Sequence, residues 1–189
     1  MQIKNNSYRY GAVAQFLHWI VVALIVTQVV LANKAGSLPL GAAKLATLAQ
    51  HKSVGVTILA LTVLRLIWRA LGPIPSAPSG MAPWRRRAAS ISHFLLYALL
   101  LVTPLLGWLM SSARNFPVSW FGFATLPDFI EPSEAAFEFF REAHGVSAAT
   151  LLVVALIHAA AALKHHFIDR DDVLRRMLPV KLRRPPSVE

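Results

Sequence analysis

The sequence contains no cysteine, and this absence excludes several kinds of site at once. Without thiolates the chain cannot form disulfides, ligate iron–sulfur clusters, attach haem covalently in the c-type manner or build a cysteine-based zinc site. Histidine is therefore the strongest metal ligand that the sequence offers, and it occurs seven times.

Charged residues are also scarce. They make up 15% of the 189 residues, whereas soluble domains carry about a quarter, and 56% of the chain is hydrophobic. Four apolar runs approach or exceed the roughly 20 residues that span a bilayer as a helix. They cover residues 12–32, 45–69, 88–113 and 144–166, and none contains Asp or Glu. The first run is longer than the apolar region of a signal peptide, about 7–15 residues.

These runs predict an all-α membrane protein whose residues 1–189 form one four-helix transmembrane bundle. The third connection, residues 114–142, is the longest, and its second half predicts a short helix over residues 133–144 that leads into the fourth span. Residues 167–189 form an interfacial tail, in which residues 169–177 predict a basic amphipathic helix on the membrane surface.

Basic residues orient the bundle. Fourteen of the 19 Lys and Arg residues lie in the N-terminus, the second linker with its flanks and the C-terminal tail. The remaining five are Lys34, Lys44, Lys52, Arg114 and Arg141. The positive-inside rule therefore places both termini in the cytoplasm. The net charge of +10 then reflects topology, and no nucleic-acid partner is expected.

The last span carries two histidines on one stripe. His144 and His158 are 14 residues apart, which is about 40° short of four full turns and about 21 Å along a helix axis. Ionisable groups inside membrane helices indicate function, because hydrocarbon penalises unpaired polar groups. Two histidines near opposite sides of the bilayer predict two stacked sites.

Two further histidines match these depths. In the predicted topology His18 lies on the cytoplasmic side with His158, and His51 lies on the outer side with His144. Each pair joins two helices, the arrangement that builds cofactor sites in helix bundles. Two imidazoles suit the axial positions of a haem iron. Zinc or non-haem iron would need further protein ligands at each level, and single membrane histidines often serve packing alone.

Other residues are candidate contacts of such a cofactor. Arg65 lies at the inner level, where it would pair with a haem propionate or extend to the lipid head groups. Gly55 and Gly145 would let a flat macrocycle approach the backbone, or they serve helix packing. Lys52 lies in the first turns of its helix, where the macrodipole disfavours a cation, and this placement suggests a propionate or an anionic substrate as its partner.

Several motifs resemble one family, the bacterial cytochrome b561 family of small di-haem membrane cytochromes. They are Arg9-Tyr10-Gly11, Leu17-His18-Trp19, His51-Lys52-Ser53-Val54-Gly55, residues 64–69, residues 93–97 and residues 158–177. The resemblance implies two non-covalent b haems, with His18, His51, His144 and His158 as their ligands, in the bacterial inner membrane. The tail, residues 163–172, is similar to a branch associated with a periplasmic, lipid-binding, lipocalin-like protein.

The resemblance further implies electron transfer to ubiquinone, in some members from superoxide at the periplasmic face. His165 is then a candidate quinone contact or an interface residue, and His93 is a candidate quinone contact, interface residue or fifth haem ligand. One competing function is a membrane anchor that passes electrons for a dehydrogenase or a periplasmic partner. Another is a histidine-lined proton or metal-ion transporter without haem.

Overall fold

The computed structural model describes residues 2–78 and 80–179 and is built on four long helices. They are α1, Ala12–Ser37; α2, Ala42–Ala70; α3, Pro83–Ala113; and α4, Glu134–Phe167. All four are long and apolar enough to cross a membrane. The prediction of a four-helix all-α membrane protein is therefore confirmed, and each predicted span lies within one of these helices.

The helix ends show why the observed helices exceed the predicted spans. Pro83 occupies the first turn of α3, where its missing N–H removes no helix hydrogen bond. The Ser133 hydroxyl caps α4 by accepting a hydrogen bond from the Ala136 N–H at 3.3 Å. The predicted short helix over residues 133–144 is consequently the first part of α4, continuous with the membrane span.

The helices pack in sequence order, α1 along α2 and α3 along α4, with α2 also against α3. Their shared core lies between the levels of the paired histidines. It consists of Val21, Val54, Ile58, Leu100 and Leu151, so every helix contributes to it. Many large apolar side chains outside this core are exposed, as expected where the solvent is lipid.

A small β-hairpin interrupts the loop between α3 and α4, and the sequence analysis did not predict it. Strand β1, Val118–Trp120, pairs antiparallel with β2, Ala124–Leu126, so that Trp120 lies opposite Ala124. Phe121 and Gly122 both have positive φ, 48° and 79°, which gives the tight connection its local twist. The hairpin packs against α2 through β1.

The C-terminal tail, as far as Pro179, differs from its prediction. The expected amphipathic helix over residues 169–177 is wrong, because only a single turn of 3-10 helix, Arg175–Met177, forms there. Arg170 has a positive φ of 55°, a conformation that breaks a helix. The part of the predicted tail beyond Pro179 lies outside the described residues.

Contacts with the N-terminal region hold this tail instead. The main-chain carbonyls of Arg176, Met177 and Leu178 accept hydrogen bonds from Gln15, Trp19 and Arg9, at 3.2, 2.9 and 2.9 Å. The Tyr8 hydroxyl donates to Asp172 at 3.0 Å. Partial burial and this hydrogen bond raise the pKa of Tyr8.

Candidate functional site

The bundle brings the four predicted ligand histidines together as two pairs. The ring centres of His18 and His158 are 6.5 Å apart, with planes inclined at 76°. Those of His51 and His144 are 6.2 Å apart, inclined at 79°. The first pair joins α1 to α4 and the second joins α2 to α4. All four side chains are partly buried.

These separations fit a metal ion held between two imidazoles. A metal–imidazole bond is about 2 Å long and the nitrogen lies about 1.2 Å from its ring centre, so the ring centres of two opposed ligands lie about 6–6.5 Å apart. No carboxylate lies within the predicted spans, so the ligands that the two pairs themselves offer are two imidazoles each. Two neutral nitrogen ligands match the axial requirement of haem iron better than the four-ligand shell of zinc.

His144 is held by α3 in a defined orientation. Its Nδ1 lies 2.9 Å from the carbonyl oxygen of Thr103, so Nδ1 carries the proton and Nε2 keeps its lone pair for a metal. A Cβ added at Gly107 would lie 3.0 Å from His144 Cε1. The absence of a side chain at Gly107 therefore makes room for the imidazole.

Neither Thr103 nor Gly107 was among the residues predicted for the site. The available signal was Pro104, which the structure places inside α3. Pro104 leaves the carbonyl of Leu100, four residues earlier, without its helical donor and kinks the helix. Together with the glycine three residues later, it marks the segment of α3 that accommodates His144.

The buried Nδ1 atoms of His18 and His51 have no hydrogen-bond partner among the described residues. The ring of His18 lacks the carbonyl contact that fixes His144. Buried polar atoms are normally paired, so these two imidazoles are consistent with ligands whose orientation is set through the other ring nitrogen.

His93 joins the inner pair as a third histidine. Its ring centre lies 5.3 Å from that of His158, closer than two axial ligands of one iron would lie. The geometry therefore favours a neighbour of the His158 ring over an opposed ligand. The quinone role of His93 stays a prediction.

Arg65 is half-buried at the inner level. Its guanidinium lies 5.4 Å from the centre of the Tyr97 ring, a cation–π distance. Within residues 2–78 and 80–179, no carboxylate lies within ion-pair distance of it. A half-buried guanidinium without a protein anion retains its capacity to bind a carboxylate of a ligand.

The outer candidates have different surroundings. Lys52 Nζ donates to the main-chain carbonyl of Phe116 at 3.3 Å and lies 5.5 Å from that ring's centre. A Cβ at Gly55 would lie 3.1 Å from the Gln28 amide nitrogen, whereas one at Gly145 would have nothing within 4 Å. Lys52 thus holds the loop between α3 and α4. The Gln28 amide occupies the space beside Gly55, whereas no side chain of the described residues lies beside Gly145.

His165 forms a polar cluster where α4 ends. Its Nδ1 lies 2.6 Å from Asp171 Oδ2 and 3.5 Å from Asp169 Oδ2. Asp171 is itself fixed, because its other oxygen accepts from the Val173 N–H at 2.9 Å. Lys164 donates to both oxygens of Asp169 at 2.7 Å and lowers the pKa of that carboxyl.

Asp169 and Asp171 were not among the residues predicted for this site. The usable signal was their spacing, four and six residues after His165, directly beyond the last helical turn. This pairing of imidazole with carboxylate fixes Nδ1 as the protonated nitrogen and leaves Nε2 to exchange a proton with a ligand or with water.

Comparison with known proteins assigns these features to one family. The family model for prokaryotic cytochrome b561 matches residues 9–180. Cytochrome b561 homolog 2 of Escherichia coli K12 is 32% identical over 191 aligned residues, which cover 94% of this chain and 95% of the relative. Cytochrome b561 homolog 1 of the same organism is 28% identical, covering 90% and 97%.

A third relative carries an activity in its name. It is the probable superoxide oxidase CybB of Yersinia pestis, 25% identical over 92% of this chain and 97% of its own length. The family model matches nearly the whole chain. Cytochrome b561 homolog 2 exceeds 30% identity to this chain over nearly its full length. The chain therefore belongs to the prokaryotic cytochrome b561 family.

Proposed function

We propose that this protein is a di-haem cytochrome that carries electrons between the periplasmic face of the membrane and the quinone pool. His18 and His158 would hold the inner haem, and His51 and His144 the outer one. The observation that carries the proposal is the pair of cross-helix distances, 6.5 and 6.2 Å, each of the size that one iron between two imidazoles requires.

Family membership provides the coarser frame. The chain is a multi-pass protein of the bacterial inner membrane and an electron-transfer cytochrome that uses b-type haem. When bound, such a group supplies one-electron redox chemistry, and two histidine ligands leave no open position for substrate at the iron. The protein's own task is then to hold, orient and insulate each group.

The residues around each pair are suited to that task. Thr103 and Gly107 fix the ring of His144 with Nε2 free. Arg65 offers a half-buried guanidinium at the inner level, which would bind a haem propionate through two parallel hydrogen bonds. Lys52 would add positive charge at the outer level, where it attracts an anion while it holds the Phe116 carbonyl.

For the outer end we propose superoxide as the electron donor. The support is the name of the Yersinia relative, a probable superoxide oxidase, together with the cation Lys52 on that side of the bundle. Oxidation of two superoxide ions releases two molecules of dioxygen and two electrons. These two electrons and two protons convert one quinone to its quinol.

For the inner end we propose quinone contact near His165 and His93. His165 Nδ1 donates to Asp171, so its Nε2 can bond a quinone carbonyl or pass a proton from the cytoplasm. His93, beside His158, would line the route between the inner haem and that quinone. Ubiquinone is the acceptor that the family resemblance implies.

The second candidate function is an anchor subunit without a substrate of its own. The exposed outer part of α4 carries Glu134, Glu138 and Glu142, the first two paired with Arg114 and Arg141, and would offer this charged surface to a dehydrogenase or periplasmic partner. A lipocalin-like lipid-binding protein stays a prediction from the resemblance of the tail. Purified protein that is reduced by superoxide and reoxidised by quinone with no partner present would favour the first function.

Haem content tests the ligand assignment. We expect the purified protein to bind about two b haems per chain, with a bis-histidine absorption spectrum. His51→Ala or His144→Ala should remove the outer haem, and His18→Ala or His158→Ala the inner one. His166→Ala, on the same helix but outside both pairs, is the control and should retain two.

The pattern of loss decides the outcome. The two variants of each pair should give the same single-haem spectrum, and the two pairs should give different spectra and midpoint potentials. A colourless wild-type protein would refute the proposal and favour a histidine-lined transporter. Matching spectra from His18→Ala and His51→Ala would show that the pairing is wrong.

A further inference from the structure

The hairpin between α3 and α4 carries a set of aromatic side chains that nothing in the haem sites uses. Residues 115–127 contain no charged residue. Phe116, Phe121 and Phe123 are 54%, 52% and 83% exposed, and Trp120 is 40% exposed. Such a concentration of exposed aromatic surface on a connecting loop indicates an interaction surface.

The position of the hairpin along the helices indicates whether lipid or water surrounds it. Trp120 donates its indole N–H to Thr57 Oγ1 at 3.0 Å. Thr57 lies five residues past Lys52, the last charge on the outer part of α2, and therefore about 7.5 Å further into the apolar part of the helix. The hairpin thus descends alongside α2 instead of extending away from the bundle.

A second contact gives the same depth on α3. The indole N–H of Trp108 donates to the Pro127 carbonyl at 3.0 Å, and its ring lies 4.6 Å from that of Phe129. Trp108 precedes Arg114, the first charge after the helix, by six residues, or about 9 Å. The contacts of Trp120 and Pro127 therefore tie this segment to helix positions below Lys52 and Arg114.

The hairpin is fixed at this depth by polar contacts on its inner side. Ser53 Oγ lies 2.9 Å from the Ser119 carbonyl and accepts from the Phe121 N–H at 3.0 Å. Val118 is only 2% exposed. One side of the hairpin thus satisfies its backbone groups against α2, while the aromatic side chains of the turn face outward.

We propose that this hairpin inserts into the adjacent leaflet of the bilayer, with Phe121 and Phe123 among the lipid chains. Tryptophan favours the boundary between head groups and hydrocarbon, and phenylalanine rings gain free energy when they leave water for an apolar phase. The outer edge of β2 is open in this two-stranded sheet, and open strand edges do not occur within hydrocarbon. The backbone of the hairpin therefore lies at the head-group level, while the two phenylalanine rings reach the lipid chains. The exposed carboxylate of Asp128, directly after the uncharged segment, marks the polar edge of the inserted part. Strand β1 packs against both α2 and α3, and these helices carry exposed apolar side chains of their own.

A spin label tests the insertion directly, because the natural chain has no cysteine that would react. Phe123→Cys would carry a nitroxide in nanodiscs of phosphatidylethanolamine and phosphatidylglycerol. We expect high collision rates with dioxygen, which concentrates in lipid, and low rates with a water-soluble nickel chelate. Leu156→Cys, 70% exposed in the membrane part of α4, is the lipid control. Glu131→Cys, exposed in the loop, is the water control.

The ratio of the two collision rates decides the proposal. A value at Phe123→Cys within about two-fold of Leu156→Cys supports insertion. A value matching Glu131→Cys overturns it and leaves the aromatic surface free for a protein partner. A second measurement uses the native side chains. The fluorescence of Trp120, taken as the difference between the wild type and Trp120→Phe, should be quenched by brominated phospholipids. The absence of quenching would show that the hairpin lies in water.

Discussion

At the scale of single residues, Gly107 controls how closely His144 approaches α3. A Cβ there would lie 3.0 Å from His144 Cε1, so Gly107→Ala should push the imidazole away and weaken its bond to Thr103. Overpacking of this kind costs about 1–3 kcal/mol. We expect the bound haem to fall from two per chain towards one, measured by pyridine haemochrome, with the outer haem lost.

Gly145→Ala is the matched control for this substitution. Gly145 directly follows His144, yet a Cβ at Gly145 would meet nothing within 4 Å. If Gly145 serves helix packing and not the approach of the macrocycle, the variant should retain both haems. Loss of haem in Gly145→Ala but not in Gly107→Ala would show that the open space beside Gly145 is used by the cofactor and that Gly107 has no part in placing His144.

Arg65 tests the electrostatics of the inner site. A positive charge beside a haem stabilises the reduced state, so Arg65→Gln should lower the midpoint potential of the inner haem by several tens of millivolts. Arg69→Gln, one turn further along α2, removes the same charge farther from the apolar span and should shift the potential less. Redox titration followed optically measures both, and equal shifts would show that Arg65 binds no haem group.

At the scale of elements, the end of α4 and the tail after it form one polar unit. Lys164 holds the pKa of Asp169 below its usual value of 3.8. Because the carboxyl pKa of Asp169 is lower in the folded state, its ionisation stabilises the fold at pH values above 3.8. This stabilisation is lost as the pH falls through the lower pKa of the folded state. The cluster around His165 therefore keeps the ionic contact of Asp169 throughout the neutral range.

Asp171→Asn tests whether this unit serves proton transfer. Asparagine retains an oxygen for the Val173 N–H but presents an N–H group to His165, which reverses the required tautomer. We expect quinone reduction to slow by about 10-fold or more, a changed pH profile and unchanged haem content. Asp171→Glu should restore part of the rate. Full activity in Asp171→Asn would exclude a positioning role.

These elements also show what the sequence could predict. The spacing of His144 and His158 placed both on one stripe, and topology supplied their depth partners, because both depend on helical periodicity and on the distribution of charge. Neither periodicity nor charge distribution predicts the hairpin. Its strands have three residues each, and they are held by Ser53 and Thr57 on a distant helix. Such contacts leave no periodic pattern in the sequence.

The tail failed for a related reason. Residues 169–177 have the basic and apolar composition of a surface helix, but carbonyls of Arg176 and Met177 bond to Gln15 and Trp19. The positive φ of Arg170 begins this path by turning the chain away from the helical direction. Contacts between the two ends of the chain therefore outweighed the local helix propensity of residues 169–177.

At the scale of the whole molecule, the two histidine pairs divide the bundle into two levels about 21 Å apart along α4. The apolar core between them, from Val21 to Leu151, includes residues of all four helices. This packing excludes water between the levels and holds them at a fixed separation. Under the proposed function, the direction of electron transport depends on which face of the membrane each level adjoins.

That orientation can be measured with cysteines introduced into the cysteine-free chain. The excess of basic residues at one face predicts that Ser76, in the linker between α2 and α3, lies in the cytoplasm and that Glu131 lies outside. Ser76→Cys should react with a membrane-impermeant maleimide only in inverted vesicles, and Glu131→Cys only in intact cells with a permeable outer membrane. The reverse pattern would place the His51–His144 pair at the cytoplasmic face, and superoxide formed in the periplasm would then adjoin the wrong pair.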